Sequence, residues 1–380
     1  KLYNISEDIS EMTGKHLFFC ETKYALLSML IIRYTQAKEC EADIVFTDAA
    51  DFSEIICRLK QTGVFGNVWQ MQTRDLITDI NRGTVEGKKY ADENPEKVLP
   101  LPEELKSSQD YTDLWLNLDS VCPKLFYYAM TSFGNDMNVH FVDEGNSSYF
   151  MDLSTLKRDF MDHDRRGEQS FGVRAKDTYL YNPELYMNGK CDVTARQLEK
   201  DVLYEDWFQK IVFELFETEN CPQEKYIFFE QCFNDDGGVV NDIEIIDHIA
   251  EIVGKENMII RLHPRTKIDR FSVFGYKVVQ PTGALWEATL LKNDFEDKVF
   301  ITIDSTAIFS SYKILAKNQK TIILDKLIWG NYKNKNNKKN SLYLKKMIQL
   351  CNQDVVSCYE PYTKEELDII FEYFNYIDGV

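Results

Sequence analysis

The sequence predicts an α/β protein with two Rossmann-like domains that face each other across a cleft, followed by a C-terminal helix. Short apolar runs alternate with helix-length segments through the first third of the chain, which is typical of βαβ units and a parallel sheet. The same alternation starts again after Pro222. The chain has 380 residues, of which 44% are hydrophobic, and this is enough apolar material for two cores.

The first domain, residues 1–222, is predicted from four apolar strands and the helices between them. The strands HLFFC, DIVFT, NVWQM and NVHFV occupy residues 16–20, 43–47, 67–71 and 138–142. Helices are predicted at residues 24–35, 52–62 and 111–134. We expect the polar stretch 83–110 to be a long surface loop, and residues 146–222 to be a mixture of helices and loops.

The second domain, residues 223–380, repeats the strand and helix alternation. Its strands are predicted at residues 225–230, 258–262, 276–279, 298–303 and 320–324. Apolar residues of segment 242–253 fall on one helical face. Thr363 and Glu366 have the spacing of a capping box, so an amphipathic helix is expected to end the domain.

Charge and cysteine content argue against several classes of protein. A net charge of −18 disfavours nucleic-acid binding, which needs clustered Lys and Arg. Nine cysteines without a CxxC pair indicate reduced thiols rather than disulfides or a zinc site. Because no apolar run approaches the roughly 20 residues of a membrane span, we expect a cytoplasmic protein. The basic run 333–340 leaves peripheral contact with the inner face of a membrane open, and homodimer formation is open as well.

The first candidate motif is Asp143-Glu144-Gly145, directly after the strand NVHFV. Ligands of open α/β sheets gather beyond the carboxyl ends of the strands. Adjacent carboxylates raise each other's proton affinity, which suits one of them to act as a base near neutral pH. The structural alternative is an ordinary turn, in which Asp and Gly are common.

The second candidate motif, His263-Pro264, follows the buried strand MIIRL. Proline disfavours helix at His263, so the imidazole can be held at the strand end, where it could donate to a phosphate or protonate a leaving oxygen. Arg261 and Arg265 flank it and could pair with phosphate. The alternative is a surface histidine in a turn.

The third candidate motif, Asp304-Ser305-Thr306, ends the strand KVFITI and opens a predicted helix. Free N–H groups at a helix N-terminus, together with two hydroxyls, would form a phosphate site. Helix capping would explain the same residue types equally well.

Other motifs are missing from the sequence. It has no GxxxxGK[ST] loop, no GxGxxG after the first strand, no HExxH and no GxSxG, which disfavours P-loop NTPases, dinucleotide enzymes, zincins and α/β-hydrolases. Asp162-His163-Asp164 could hold a metal-bound nucleotide, but its charged surroundings indicate solvated surface.

The order of the three motifs resembles that of the bacterial sialyltransferases, above all glycosyltransferase family 52, which includes the lipooligosaccharide α-2,3-sialyltransferases. The opening HLFFCETKYALLSMLII is also similar to the first strand and helix of that family, although Lys23 follows Thr22 where the family often has Thr-Pro. The resemblance covers most of the chain.

This resemblance implies a GT-B fold and an inverting, metal-independent transfer from CMP-sialic acid, without a cofactor, to a glycan acceptor of lipooligosaccharide or capsule type. It makes Glu144 the base, with Asp143 as a rival because the family more often has Asp at the second acidic position. His263 would bind the CMP phosphate or assist its departure. The implied substrate-binding residues are Gly145, Gln231, Asn234, Pro264, Arg265, Ser305 and Thr306.

Three alternatives remain at the level of sequence. The donor could be another nucleotide sugar, such as a UDP-hexose, on the same scaffold. The chain could be a non-catalytic module that binds a sugar or a nucleotide. It could also be an epimerase on a similar two-domain fold.

Overall fold

The computed structural model describes residues 14–83, 85–117, 120–150, 164–187, 193–233, 235, 237–281, 283–331 and 338–378. The chain divides into two compact units, Lys1–Leu215 and Phe216–Val380, and the sequence-based boundary lies at residue 222. Asn234 and the first two residues of the Asp162-His163-Asp164 motif lie outside the described residues, as do residues 333–337 of the basic run.

Unit 1 contains a parallel sheet of seven strands. These are β1 Lys15–Cys20, β2 Glu41–Thr47, β3 Val68–Met71, β4 Tyr111–Leu116, β5 Asn138–Val142, β6 Ala175–Leu180 and β7 Thr194–Gln197. Their order in the sheet is β3-β2-β1-β4-β5-β6-β7, which is the Rossmann order 3-2-1-4-5-6 with one further strand. The strand order reverses between β1 and β4, and ligands of such sheets bind at this topological switch point.

The helices of unit 1 connect these strands. They are α1 Lys23–Tyr34, α2 Ser53–Thr62, α3 Arg74–Arg82, α4 Val85–Glu93, α5 Pro95–Val98, α6 Glu103–Ser107, α7 Val121–Ser132, α8 Ser147–Phe150, α9 Phe171–Arg174 and α10 Asp206–Leu215. Helix α1 begins where Thr22 Oγ1 accepts the Ala25 N–H at 3.1 Å. Helix α2 ends at Gly63, which has a left-handed φ of 67°.

Three parts of the sequence prediction for unit 1 were wrong. Residues 111–116 form strand β4 rather than the start of a helix, because YTDLWL lies between β1 and β5 and buries Leu114 and Trp115 in the sheet. The stretch 83–110 is largely helical rather than a surface loop, and Leu99 and Leu105 are buried in the core. Strands β6 and β7 were not predicted within 146–222.

One face of the unit 1 sheet carries a line of ionisable side chains, called here the charged ladder: His16, Asp113, His140, Asp177 and Arg196, on β1, β4, β5, β6 and β7. His140 Nε2 lies 2.9 Å from Asp113 Oδ1, and its Nδ1 lies 3.3 Å from Asp177 Oδ2. Arg196 Nε donates to Asp177 Oδ1 at 2.6 Å. Burial by itself would lower the pKa of His140, but the two carboxylates outweigh burial and raise it above its ordinary value. The ladder therefore places an imidazole whose protonated form is favoured between two carboxylates inside the unit.

Unit 2 contains a parallel sheet of six strands and a two-stranded antiparallel ribbon. The sheet strands are β8 Tyr226–Phe229, β10 Met258–Arg261, β11 Lys277–Val279, β12 Val299–Thr302, β13 Lys320–Ile323 and β15 Cys358–Tyr359; the ribbon pairs β9 Val239–Val240 with β14 Gly330–Asn331. The sheet order is β11-β10-β8-β12-β13-β15. Counted within the unit, this is again the Rossmann order 3-2-1-4-5-6, with its switch point between β8 and β12.

The helices of unit 2 are α11 Asp242–Val253, α12 Trp286–Lys292, α13 Ser310–Leu315, α14 Lys338–Cys351 and α15 Lys364–Asp378. Thr363 Oγ1 accepts the Glu366 N–H at 3.2 Å, as the capping box predicts. The Glu366 carboxylate accepts the N–H of Tyr362 at 2.7 Å. The predicted α/β class with two Rossmann-like domains and a C-terminal helix is confirmed. No helix in the described part of the chain is long and apolar enough to cross a membrane.

Candidate functional site

The polar residues of unit 1 meet at the carboxyl ends of three neighbouring strands. Glu21 follows β1, Asn117 follows β4, and Asp143-Glu144 follow β5. Because β1, β4 and β5 are adjacent and parallel, these residues lie on the same edge of the sheet. Glu21 and Asn117 flank the switch point, where an open α/β sheet is expected to bind its ligand.

Asp143 is fully buried, and both of its carboxylate oxygens accept hydrogen bonds. Oδ1 accepts the Gly145 N–H at 2.9 Å and the Tyr24 hydroxyl at 3.3 Å. Oδ2 accepts the Tyr149 hydroxyl and the Tyr181 N–H, the latter at 3.2 Å. A carboxylate held by two hydroxyls and two backbone N–H groups fixes the loop after β5, and it has little capacity left to receive a proton from a substrate.

The turn after Asp143 depends on glycine. Gly145 has a φ of 122°, a value that other residues rarely adopt, and its N–H reaches back to Asp143. The Glu144 N–H donates to Ser148 Oγ at 3.0 Å, at the start of α8. The local backbone therefore separates the two acidic side chains and places them in different surroundings.

Glu144 is partly buried, and its carboxylate has one direct side-chain donor, Asn117 Nδ2, at 2.9 Å from Oε2. Burial is the main cause that raises the pKa of Glu144, to about 8. The Asn117 hydrogen bond opposes the shift, whereas the charges of Glu21 and Asp143 add to it. Burial likewise raises the pKa of Glu21 to about 7. A carboxyl with a pKa this close to neutral can take a proton from a hydroxyl group in the physiological range.

In unit 2, the His263-Pro264 turn is fixed by a buried carboxylate that the sequence analysis did not identify. Glu230 follows β8, which lies between β10 and β12, and its Oε2 accepts the His263 N–H at 2.9 Å and the Thr266 hydroxyl at 2.5 Å. The Arg265 N–H donates to His263 Nδ1 at 3.1 Å, so the proton of the neutral imidazole is on Nε2. Pro264 and Arg265 are exposed beside it.

Arg261 does not take the phosphate-facing role suggested by its place beside His263. Its guanidinium pairs with Glu219 and lies 5.0 Å from the centre of the Trp286 ring. The side chain is buried and has a structural partner on each side. Of the two flanking arginines, Arg265 is the one exposed at the His263 turn.

Ser305 and Thr306 follow β12, on the other side of β8 from His263. The Ser305 N–H donates to Thr302 Oγ1 at 3.0 Å, and Ser305 occupies the N-cap position without a capping hydrogen bond from its hydroxyl. Within the described residues, neither the Ser305 nor the Thr306 hydroxyl has a hydrogen-bond partner. The predicted single helix is instead a 3₁₀ turn, Thr306–Phe309, followed by the short helix α13. Capping therefore does not account for the Ser305 side chain.

The neighbouring Asp304 adds a further carboxyl with a shifted pKa. Burial is the main cause that raises the pKa of Asp304, to about 6. Asn340 Nδ2 donates to both carboxylate oxygens, at 3.1 and 3.0 Å. This contact joins the end of β12 to helix α14.

The predicted nucleotide-facing loop after β8 is described only in part. Gln231 is partly buried, and its carbonyl accepts the Phe233 N–H at 2.8 Å. Asn234 lies outside the described residues, so the structure gives no position for it. Among the residues that the structure describes, no group of three or more His, Cys, Asp or Glu side chains could hold a metal ion.

The structure thus identifies three candidate functional residues at strand ends that the sequence analysis did not select: Glu21, Asn117 and Glu230. Glu21 directly follows the predicted strand HLFFC, and Glu230 is the last residue of the predicted strand 225–230, so the rule that selected Asp143 could have found them. Asn117 had no such signal, because residues 111–134 were predicted as one helix and the strand end was hidden inside it.

No protein-family model and no curated protein matches the chain significantly. Its resemblance to glycosyltransferase family 52 therefore stays a prediction. Among solved structures, the chain is similar to the GT-B domain of a sialyltransferase from Photobacterium damselae, with 12% identity, a TM-score of 0.49, and coverage of 92% of this chain and 100% of that one.

Two further solved structures are similar to the chain over most of its length. One is the glycosyltransferase VinC in complex with dTDP, with 8% identity, a TM-score of 0.47, and coverage of 95% of this chain and 90% of that one. The other is a UDP-N-acetylglucosamine 2-epimerase from Rickettsia bellii, with 12% identity, a TM-score of 0.42, and coverage of 96% of this chain and 98% of that one. At these identities, the matches do not assign a reaction to the chain.

Proposed function

We propose that this protein is an inverting glycosyltransferase in which Glu144 is the general base. The observation that carries the proposal is a partly buried carboxyl at the carboxyl edge of a Rossmann-type sheet, with its pKa raised to about 8. General bases are most efficient when their pKa lies near the working pH. Asp143, with both oxygens hydrogen-bonded, supports the loop that carries Glu144 and Gly145.

The proposal gives unit 2 the task of binding the nucleotide phosphate. His263 offers an Nε2–H donor, and Ser305 and Thr306 offer hydroxyls without partners among the described residues. The strand ends that carry His263 and Ser305 are separated by β8, which corresponds to about 10 Å at the usual strand spacing. Side chains that converge from both ends can reach one phosphate between them. Pro264, Arg265 and the loop of Gln231 and Asn234 complete the proposed donor site.

The chemistry assigns a separate task to each group. Glu144 takes the proton from an acceptor hydroxyl as that oxygen bonds to the anomeric carbon of the sugar. The bond from that carbon to the phosphate oxygen breaks at the same time, and the nucleotide leaves with the electron pair. Donors aimed at the phosphate stabilise the charge that builds there, and they need no rearrangement at the moment of reaction. This division suits transfer without a metal ion.

For the donor, we propose CMP-sialic acid, and for the acceptor a hydroxyl of a surface glycan. The support for both is the resemblance of the ordered motifs to the bacterial sialyltransferases. The raised pKa of Glu144 and the hydroxyls of Ser305 and Thr306 fit a glycosyl donor with any nucleotide. The nucleobase and the sugar of the donor are therefore identified by experiment.

The test is donor turnover by the purified protein. CMP-sialic acid and several UDP-hexoses are incubated separately with the wild-type chain, with and without a glycan acceptor, and released nucleotide is measured. We expect turnover of CMP-sialic acid, stimulated by acceptor, and a loss of about 10²-fold or more in His263→Ala. Turnover of only the UDP-sugars would overturn the donor assignment, and UDP-sugar interconversion without acceptor would indicate an epimerase. Binding without turnover of any donor would indicate a non-catalytic module.

A further inference from the structure

We propose that Glu21 and Glu144 work as a pair bridged by Asn117 and share one proton, with Glu21 acting as a positioning residue that sets the charge on Glu144. The proton sharing is a property of the free protein, whereas its use in sugar transfer rests on the proposed function. Neither Glu21 nor Asn117 belongs to the three motifs from which the function was inferred.

The position of the pair follows from the sheet order. Glu21, Asn117 and Glu144 lie at the ends of β1, β4 and β5, which are adjacent. Adjacent strands are about 5 Å apart, so Asn117 is the residue between the two acids. Its side chain is almost completely buried, and its Nδ2 donates to Glu144 Oε2 at 2.9 Å.

The other end of the Asn117 amide offers an acceptor for a proton held by Glu21. Asn117 Oδ1 is buried and has no hydrogen-bond partner among the described residues. A buried acceptor that is left unsatisfied destabilises the folded protein. Burial raises the pKa of Glu21, and a hydrogen bond from Asn117 to the Glu21 side chain opposes this shift. An ionised Glu21 can only accept hydrogen bonds, whereas a protonated Glu21 can donate its O–H to Asn117 Oδ1.

The electrostatic surroundings of the pair favour the sharing of one proton between the two carboxyls. The charge of Glu21 raises the pKa of Glu144, although burial is the larger cause. The other ionisable group that acts on Glu144 is the carboxylate of Asp143. The charge of Glu21 in turn raises the pKa of the buried Cys20 and Cys122 thiols. No cation is among the causes of the shift at Glu21 or at Glu144. Two carboxyls in such a site are not both ionised near neutral pH, and they titrate as a pair.

The shared proton has a consequence for catalysis. Because the pKa of Glu144, about 8, lies above that of Glu21, about 7, the shared proton lies mainly on Glu144 near neutral pH. In the form in which Glu21 holds the proton, Glu144 carries the single negative charge of the pair and can receive the proton of the acceptor hydroxyl. The pair is then neutral, and the received proton leaves to solvent after the product departs. An ionised Glu21 would instead favour the protonated form of Glu144, which cannot act as a base. Glu21 thereby controls the pH range in which Glu144 is ready to react.

The experiment is an infrared pH titration of the carboxyl bands of the free protein, which needs no donor or acceptor. The band of Glu144 is identified by its loss in Glu144→Gln. In Glu21→Gln, which keeps the size of the side chain and removes the charge, we expect the Glu144 titration to move to lower pH by about one unit. Glu41→Gln is the matched control, since it removes an exposed charge at the first residue of β2, and it should leave the titration in place.

An unchanged Glu144 titration in a correctly folded Glu21→Gln protein would overturn the proposal that Glu21 and Glu144 share one proton. Where turnover is found, the acid limb of kcat/KM should move to lower pH by the same amount as the infrared titration. A shift of the titration in a protein that turns over no nucleotide sugar would support the pair and contradict the proposed function. A protein that turns over nucleotide sugar but shows no shift would support the proposed function and contradict the shared proton.

Discussion

Replacing Glu144 by Gln is expected to reduce the rate of sugar transfer by a factor of about 10²–10⁴, the usual contribution of a general base. Gln keeps the length of the side chain, and its carbonyl oxygen can still accept the hydrogen bond from Asn117 Nδ2. The variant loses only the ability to take a proton. Transfer from the donor identified in the turnover assay is measured at saturating donor and acceptor, so that the change is seen in kcat.

The same substitution is expected to stabilise the folded protein at alkaline pH. Glu144 binds its proton more tightly in the folded state, with a pKa of about 8 against an ordinary value of 4.5, so the free energy of unfolding falls as pH rises through this window. Gln removes that penalty, and we expect a gain of about 1–2 kcal/mol at pH 9 and almost none at pH 4, measured by denaturant unfolding. Glu41→Gln serves as the control. Retained activity in Glu144→Gln, or a loss of stability at pH 9, would contradict the assignment.

Replacing His140 by Leu is expected to cost about 3 kcal/mol of folding stability, the largest effect on stability that the structure indicates. The substitution removes the imidazole between Asp113 and Asp177 in the charged ladder, and the two carboxylates lose their central partner in a buried site. It also removes the stacking of the imidazole on Trp115, with ring centres 4.5 Å apart. Denaturant unfolding at several pH values measures the change.

The pH dependence of this loss has a defined sign. The pKa of His140 is raised, so its contribution is complete below the ordinary value of 6.5 and is lost as pH rises through the folded value. The pKa values of Asp113 and Asp177 are lowered, so their contribution is lost as pH falls below about 4. The difference between wild type and variant should be largest between about pH 4 and pH 6.5.

His248→Leu is the matched control for His140→Leu. His248 also contacts an aspartate, with Nε2 at 2.8 Å from Asp368 Oδ1, but both partners are partly exposed. A surface pair of this kind contributes about 0–1 kcal/mol. Equal losses in the two variants would show that burial of the charged ladder does not determine its contribution.

The strand ends show how far sequence reasoning reached. The buried runs at residues 16–20 and 138–142 were found because continuous apolar residues indicate parallel strands, and the ends of these strands led to Asp143 and Glu144. Strand β4 was missed because YTDLWL lies close to helix α7 in the sequence, and its polar Asp113 faces the charged ladder rather than solvent. Because β4 was not predicted, Asn117 was not recognised as a strand-end residue, and neither was its position between Glu21 and Glu144.

The difference between the two acids of the Asp143-Glu144 pair could not be read from the sequence. Both residues follow the same strand, and their chemistry is similar. The structure separates them because Tyr149 and Tyr181 approach Asp143 from segments whose position depends on β6, which was not predicted. Burial and hydrogen bonding, rather than residue type, therefore make Asp143 a structural support and leave Glu144 as the residue with a pKa near neutrality.

A crystal structure with CMP bound tests the proposed site most directly. We expect the CMP phosphate within about 3 Å of His263 Nε2 and the Ser305 hydroxyl, with Thr306 nearby, at the strand ends of β10 and β12. Phosphate bound away from these residues would contradict the assignment of the donor site, and with it the division of tasks between Glu144 in unit 1 and His263 in unit 2.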